Sequence, residues 1–219
     1  MNIGILGTGN VGETIATALV KNGHNVMLGS RTAGGDKARA WVKKMRTGAG
    51  EGTFDAAARF SELLFICLNG EYALRALETI APEHLGGKIV IDVTNPLDFT
   101  GGMPPRILEE YSVVSLGERI QKALPNAFVV KTLNTVTAGL MVDARSVAKG
   151  SHTLFLSGND ADAKNKVAHF LSDAFYWKGD QMIDLGGIAS ARVTEGMMPL
   201  WIQLWQTLGT PLFNFKVVR

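Results

Sequence analysis

The chain holds a single cysteine, Cys67, among its 219 residues. A disulfide framework and a cysteine-rich zinc site within one chain are therefore excluded. Histidine is scarce as well: His24, His84, His152 and His169 make the full set, and no two stand at metal-ligand spacing. Neither H-E-x-x-H nor G-x-S-x-G occurs, so no metal site and no nucleophile elbow is expected. Charge is modest. Lys and Arg number 22 against 20 Asp and Glu, a net +2. That is too little to call for nucleic acid or an anionic membrane as partner. No run approaches the roughly 20 apolar residues of a membrane span. The opening Met1-Asn2-Ile3-Gly4-Ile5-Leu6-Gly7 lacks the basic start and small-residue cleavage site of a secretory signal. These absences give the expectation of a cytoplasmic protein with no nucleic-acid and no membrane partner.

What is present suits a folded domain. Hydrophobic residues are 46% and charged residues 19% of the chain, and mean hydropathy is +0.12. Such a composition buries a core and excludes global disorder. In the first half, strand and helix signals alternate. Residues 2–6 read as a strand, and Val11, Ile15, Ala18 and Leu19 give residues 10–22 a helical spacing closed by Gly23. Strands at 25–28, 63–68 and 88–93 alternate with helices at 36–46 and 71–80. Such alternation with short glycine-bearing links means a parallel sheet covered on both faces. Further on, the pattern predicts a loop at 100–105, a helix at 117–123, strands at 128–131, 153–157 and 181–184, and a helix at 161–175. A long helix is expected over 189–208, kinked or split by Pro199. The fold class is α/β: a Rossmann-type, doubly wound, mostly parallel sheet with a small C-terminal α/β extension. Residues 1–138 form the nucleotide-binding part in this reading, and residues 139–219 the smaller part.

Gly7-Thr8-Gly9-Asn10-Val11-Gly12 is G-x-G-x-x-G, placed after a predicted strand and opening a predicted helix. In that context it binds a dinucleotide pyrophosphate. Gly7 permits the tight turn, Gly9 lets the backbone approach the phosphates, and Gly12 lets the helix pack on the strand. The helix N-terminus then offers free N–H groups and partial positive charge. The end of the second strand decides the cofactor. An NAD site places an acidic residue there to hold the ribose 2′-OH. This chain has Leu28-Gly29-Ser30-Arg31-Thr32, with no acid before Asp36. A hydroxyl at Ser30 and a planar cationic fork at Arg31 suit a 2′-phosphate, with Lys37 or Arg39 adding charge, so NADP(H) is the expected cofactor.

The ends of later strands should complete the pocket. These are Leu68-Asn69-Gly70, Thr94-Asn95-Pro96 and Thr132-Leu133-Asn134-Thr135, all lacking an ionisable group. They read as positioning residues, and no catalytic side chain is assigned. Cys67 sits in an apolar strand segment and reads as core. Near the C-terminus, Trp201 and Trp205 stand four apart on one helical face, among enough apolar residues to require burial against the sheet, a second subunit or a flat ligand.

Four motifs together carry a resemblance. They are Thr8-Gly9-Asn10-Val11-Gly12, Gly29-Ser30-Arg31, Leu133-Asn134-Thr135-Val136-Thr137-Ala138, and the segment from Asp184 to Trp205. The chain resembles the NADP oxidoreductases dependent on coenzyme F420, a deazaflavin. It is also similar to the cytoplasmic domain of the six-transmembrane epithelial antigen metalloreductases. The resemblance implies a hydride transfer between NADP(H) and F420 or a flavin-type acceptor. It implies that Thr8, Gly9, Asn10 and Val11 contact the pyrophosphate, and that Ser30 and Arg31 hold the 2′-phosphate. By the same resemblance Asn95 and Ala138 lie near the nicotinamide ribose and ring, while Leu68 and Asn69 join the cofactor site on the strand-end reading above. Leu212, in the tail, lies against the deazaflavin in this resemblance, and Asn134, a substrate-side candidate, changes the wall next to the nicotinamide together with Thr137. The implied assembly is a homodimer, with the C-terminal part closing the cleft. Two departures stand out: Asn134-Thr135-Val136-Thr137 lacks the His and Pro of the archaeal members, and the loop after Arg31 is longer, with Gly34-Gly35. An NADPH-dependent dehydrogenase of a small carbonyl or imine, and a non-catalytic NADPH-binding sensor, are the alternative readings.

Overall fold

The computed structural model describes residues 1–219. Its first half runs β1 (Asn2–Leu6), α1 (Asn10–Lys21), β2 (Asn25–Ser30), α2 (Asp36–Met45), β3 (Ala49–Thr53) and α3 (Phe54–Phe60). Then come β4 (Leu63–Ile66), α4 (Gly70–Leu77), β5 (Ile89–Asp92) and a two-stranded hairpin, β6 (Leu97–Asp98) with β7 (Arg106–Ile107). The second half holds α5 (Leu116–Ala123), β8 (Phe128–Thr132), α6 (Ala138–Val142), β9 (Leu154–Ser157), α7 (Ala161–Phe175), β10 (Met182–Asp184), α8 (Ala191–Gly196) and α9 (Met198–Leu208).

Eight strands make one sheet in the order β10-β9-β8-β5-β4-β1-β2-β3. Every pair is parallel except β8 with β9. This is the Rossmann-type, mostly parallel sheet that the alternating pattern predicts. The chain winds outward from β1 through β2 to β3, then crosses back to β4 on the other side of β1. That reversal leaves a crevice beyond the carboxyl ends of the central strands, where open α/β sheets bind ligands.

Strand residues point alternately to two cores, as a period of two requires. Ile3, Ile5, Phe65 and Ile91 join Ile15 and Leu19 of α1 and Leu171 and Phe175 of α7 on one face. Leu6, Leu64, Ile66 and Val90 join Ala57 of α3, Ala73 of α4 and Ile120 of α5 on the other. All four residues of β4 are buried, which explains its unbroken apolar run. The sheet continues past residue 138, and Leu154 and Leu156 of β9 share the first core with Ile3.

The structure departs from the sequence reading at β3, α3 and α6, and it gives the expected C-terminal split its form. β3 and α3 were not expected, because Ala49-Gly50-Glu51-Gly52-Thr53 has no large apolar residue. It is an edge strand held by its parallel backbone pairing with β2. The long C-terminal helix is a 3-10 turn at Ile188–Ser190, then α8, then α9, with the break at Met197. Pro199 lies in the first turn of α9, where its missing N–H has no helical acceptor to lose.

Candidate active site

β1 delivers the chain into a turn at Gly7, whose φ is +120°. A Cβ there would stand 2.4 Å from the Cys67 carbonyl oxygen, and one at Gly12 would stand 2.2 Å from the Gly7 carbonyl oxygen. Both obstacles are backbone and cannot swing aside. At Gly9 a Cβ would meet nothing within 4 Å. Two glycines are thus demanded by the protein's own packing, whereas the third borders open space. Gly9 is also the N-cap of α1, and no side chain caps the helix. The first N–H groups of α1 are left to an incoming anion.

A cleft of about 520 Å³ opens beside this turn, lined by Gly7, Thr8, Ser30, Arg31, Lys37 and Leu68 among others. A second cleft of about 530 Å³ shares Arg31, Phe54 and Leu68 with it and adds Asn69, Tyr72 and Arg75. Arg31 is exposed at their junction. Asp36 is the sole carboxylate among the lining residues of either, against Arg31, Lys37 and Arg75. The balance favours a polyanion. The Arg31 loop is itself held in shape. Ser30 Oγ donates to the Thr32 carbonyl at 2.7 Å, and Gly34 N–H donates to Glu51 Oε2 at 2.7 Å. Gly34, at φ +79°, lies beneath the Arg39 guanidinium. Phe54, Tyr72 and Arg75 were not singled out from the sequence. The available signal was an aromatic and an arginine three apart on the helix that follows Asn69.

At the other end of the crevice three strand-end turns interlock. Asn69 caps α4 by accepting from Glu71 N–H at 3.0 Å. Gly70 presses on the next turn so closely that a Cβ would lie 2.4 Å from the Asn95 carbonyl oxygen. Asn95 Nδ2 donates to the Asn134 carbonyl at 2.8 Å, and Asn134 Nδ2 donates back to Asn95 Oδ1 at 3.0 Å. Leu133, just before, adopts φ +61° although it carries a side chain. That left-handed backbone costs about 1–2 kcal/mol, and burial of the leucine side chain holds it. Ala138 is buried at the start of α6. The side chains of these turns are amide, hydroxyl and alkyl, and those of Thr94, Asn134 and Thr135 are buried.

Beneath them lies a charged cluster that the sequence reading missed. Lys131 Nζ stands 3.0 Å from Asp92 Oδ2 and 2.9 Å from Glu195 Oε1, and it donates to the Thr94 carbonyl at 2.6 Å. The Lys131 and Asp92 side chains are 0% exposed, and that of Glu195 is 3%. Burial by itself would push the Lys131 ammonium down, but the carboxylates of Asp92 and Glu195 hold it above its ordinary range. The clue was a lysine inside the apolar run Phe128–Thr132. Cys67 lies nearby. Burial and then the Asp92 charge push its thiol far up, so it is no thiolate nucleophile.

The C-terminal aromatics form a separate cluster. Phe213 stacks on Trp201 at 5.3 Å between ring centroids, and Trp201 meets Trp205 at 5.9 Å. Met198, Trp201 and Ile202 are buried together, with Leu97, Phe213 and Phe215 packed against them. Leu212 is exposed beside this cluster and lines neither cleft. Asn10 is exposed at the start of α1, and Val11 packs on the core.

Comparison with known proteins places this site in context. Residues 2–96 match a family model described as NADP oxidoreductase coenzyme F420-dependent. A crystal structure from Arthrobacter sp. FB24, of a protein named as a candidate F420-dependent NADP-reductase, is similar over 100% of both chains, with 43% identity and a TM-score of 0.91. The F420-dependent NADP reductase of Methanocaldococcus jannaschii is 28% identical over 93% of this chain and 92% of its own length. Metalloreductase STEAP3 of Rattus norvegicus is 30% identical over 91% of this chain, which spans only 37% of that relative. In the present chain no helix is long and apolar enough to cross a membrane.

Proposed function

This chain belongs to the family of coenzyme F420-dependent NADP oxidoreductases, and from that premise we propose that it transfers a hydride between NADP(H) and a deazaflavin or flavin-type acceptor. It is an NADP-dependent oxidoreductase. The finer reading, of the acceptor, rests on one observation: the strand-end turns at Asn69, Asn95 and Asn134 carry no ionisable side chain at the carboxyl edge of the sheet. Reduction of a carbonyl or imine leaves an anionic oxygen or nitrogen that calls for a proton donor. A flavin-type ring takes the hydride into a delocalised system and exchanges its proton with solvent. The nearest ammonium, Lys131, is fully buried and committed to two carboxylates, so it is no donor to a substrate.

NADPH supplies the hydride when bound, and the chain's own groups hold and orient it. In this reading the Gly7–Gly12 turn and the α1 N-terminus take the pyrophosphate, for which the open space at Gly9 leaves room. Arg31 and Lys37 take the 2′-phosphate, and Ser30 joins them as its hydroxyl turns from the Thr32 carbonyl. Leu68 and Asn69 border the ribose, while Asn95 and Ala138 lie at the nicotinamide end. Asn134 supports the acceptor side from its buried position through Asn95, and Leu212, outside both clefts, is assigned to the acceptor by the family resemblance alone. Residues 1–138 bind the nucleotide, and residues 139–219 close the cleft. Exposed Trp205, Leu208 and Leu212 support a homodimer.

NADPH oxidation by the purified protein, followed against F420, FMN, FAD and a ferric chelate with NADH in parallel, tests this. Rapid turnover with F420 or a flavin, and NADPH strongly preferred over NADH, is the expected result. Turnover with small imines or carbonyls alone, or NADPH binding with no acceptor reduced, would overturn it.

A further inference from the structure

We propose that Lys131 and Glu195 are positioning residues, which lock the Thr94–Asn95 turn and its amide pair to the C-terminal segment and so set the pocket for the nicotinamide half of the dinucleotide. The assignment of that half to this pocket rests on the NADP reading above. The locking itself does not.

Stability is a poor explanation for the cluster. It places two carboxylates and one ammonium out of water, a residual charge of −1 by that count. Buried ionic clusters of this kind are often matched or exceeded in stability by apolar residues of the same volume. What distinguishes it is the set of groups it holds. Asp92 Oδ1 accepts from Thr94 N–H at 2.9 Å and from Thr94 Oγ1 at 2.7 Å. Lys131 takes the Thr94 carbonyl. Thr94 is thereby bound through its N–H, its hydroxyl and its carbonyl. The next residue is Asn95, whose amide exchanges hydrogen bonds with Asn134.

Glu195 brings the C-terminal segment into this lock. Its carboxylate meets Lys131 and also accepts from the N–H groups of Leu116 at 2.9 Å and Gly117 at 3.0 Å, at the start of α5. Gly117 packs under α8 so tightly that a Cβ would come 2.8 Å from that of Ala191. The same segment then grips the turn a second time. Met198, Trp201 and Ile202 pack on Leu97, two residues beyond Asn95. One stretch, residues 191–202, therefore supports the Thr94–Leu97 turn through Lys131 and through Leu97. A shift of that stretch carries the Asn95–Asn134 pair with it.

The test compares wild type with Lys131→Met and Glu195→Gln by titration with NADPH and with 2′,5′-ADP, which keeps the 2′-phosphate and lacks the nicotinamide. Exchange protection of the Asn95 and Asn134 side-chain amides is measured by NMR on the ligand-free proteins. Expected are a rise of about tenfold in the NADPH dissociation constant, 2′,5′-ADP within about twofold of wild type, and lost amide protection. Glu195→Gln keeps the Lys131–Asp92 pair, so it carries the test should Lys131→Met not fold. Equal weakening of both ligands would mark a general loss of structure and overturn the proposal. So would unchanged NADPH affinity with intact amide protection. If wild type binds neither ligand, the NADP reading fails, while the amide protection still decides this one.

Discussion

Gly9 and Gly12 lie three positions apart and differ in what stands where a side chain would be. At Gly12 the obstacle is the Gly7 carbonyl, and at Gly9 there is open space. Gly12→Ala is therefore expected to lower stability by about 1–3 kcal/mol through overpacking, seen as a lower melting temperature. Gly9→Ala is expected to change stability by no more than about 1 kcal/mol, the scale of an N-cap substitution. Yet it should weaken NADPH about tenfold or more, because the methyl occupies the space left for phosphate. Normal NADPH binding by Gly9→Ala would remove Gly9 from the pyrophosphate site. Arg31 decides between cofactors. Arg31→Ala should weaken NADPH by about 1.5–3 kcal/mol, the scale of a charge-assisted hydrogen bond, and NADH hardly at all. Equal losses for both in parallel titrations would sink the 2′-phosphate assignment.

Elements are joined here by few side chains, and one joint is sensitive to pH. Asp55, in the first turn of α3, accepts from Ala81 N–H at 3.0 Å and stands 2.7 Å from His84 Nδ1. It thus ties α3 to the 3-10 turn Pro82–His84. The Ala81 hydrogen bond first, and then His84, hold its carboxyl below the usual range. A carboxyl lowered by folding stabilises above its unfolded value, near about 3.9, and loses that contribution as pH falls through the folded value. Asp55→Asn should therefore melt below wild type at pH 7, and the gap should close as pH falls through the lowered folded value. A gap that persists unchanged at low pH would show that the joint is not electrostatic. α5 is fastened differently. Ser115 and Glu118 form a reciprocal capping box at its start, to which Glu195 adds acceptors for the next two N–H groups.

Across the whole molecule, the tail closes the structure. Thr153 N–H donates to the Phe215 carbonyl at 2.9 Å, Asn214 Nδ2 donates to the Thr153 carbonyl at 2.9 Å, and Val217 N–H donates to Thr153 Oγ1 at 3.0 Å. These bonds lay the last residues along the strand β9 as it begins and bring Phe213 over Trp201. Removal of residues 211–219 should uncover the aromatic cluster. Its expected signature is a melting temperature lower by more than about 5 °C, since 1 kcal/mol moves a domain of this size by about 2–4 °C, with red-shifted tryptophan emission. An unchanged melt and spectrum would show that the tail covers nothing of consequence.

Much of the architecture was legible in the residues themselves. The compact apolar run of Asn2–Leu6, the helical spacing from Val11 to Leu19 and the strand–helix alternation to Asp92 follow from local stereochemistry, which neighbouring residues carry wherever they fold. The glycines at 7, 9 and 12 and the Ser30-Arg31 pair were readable for the same reason: a turn and a strand end act over a few residues. β3 was invisible because an edge strand of Ala, Gly, Glu and Thr is stabilised by its neighbour, not by its own side chains. The split at Met197 was half legible, since Pro199 announced a break but not that it would start a helix. Residues from distant elements met only in the fold. Lys131 reaches Asp92 39 positions away and Glu195 lies further off on α8, while Tyr72 and Arg75 face Arg31 across a cleft. The sequence alone determined the elements, their order and the cofactor-binding turn, because those depend on short-range geometry and periodicity. Only the tertiary structure decided which charges share a dry interior and which turns lock together, because that depends on where separate stretches of chain cross.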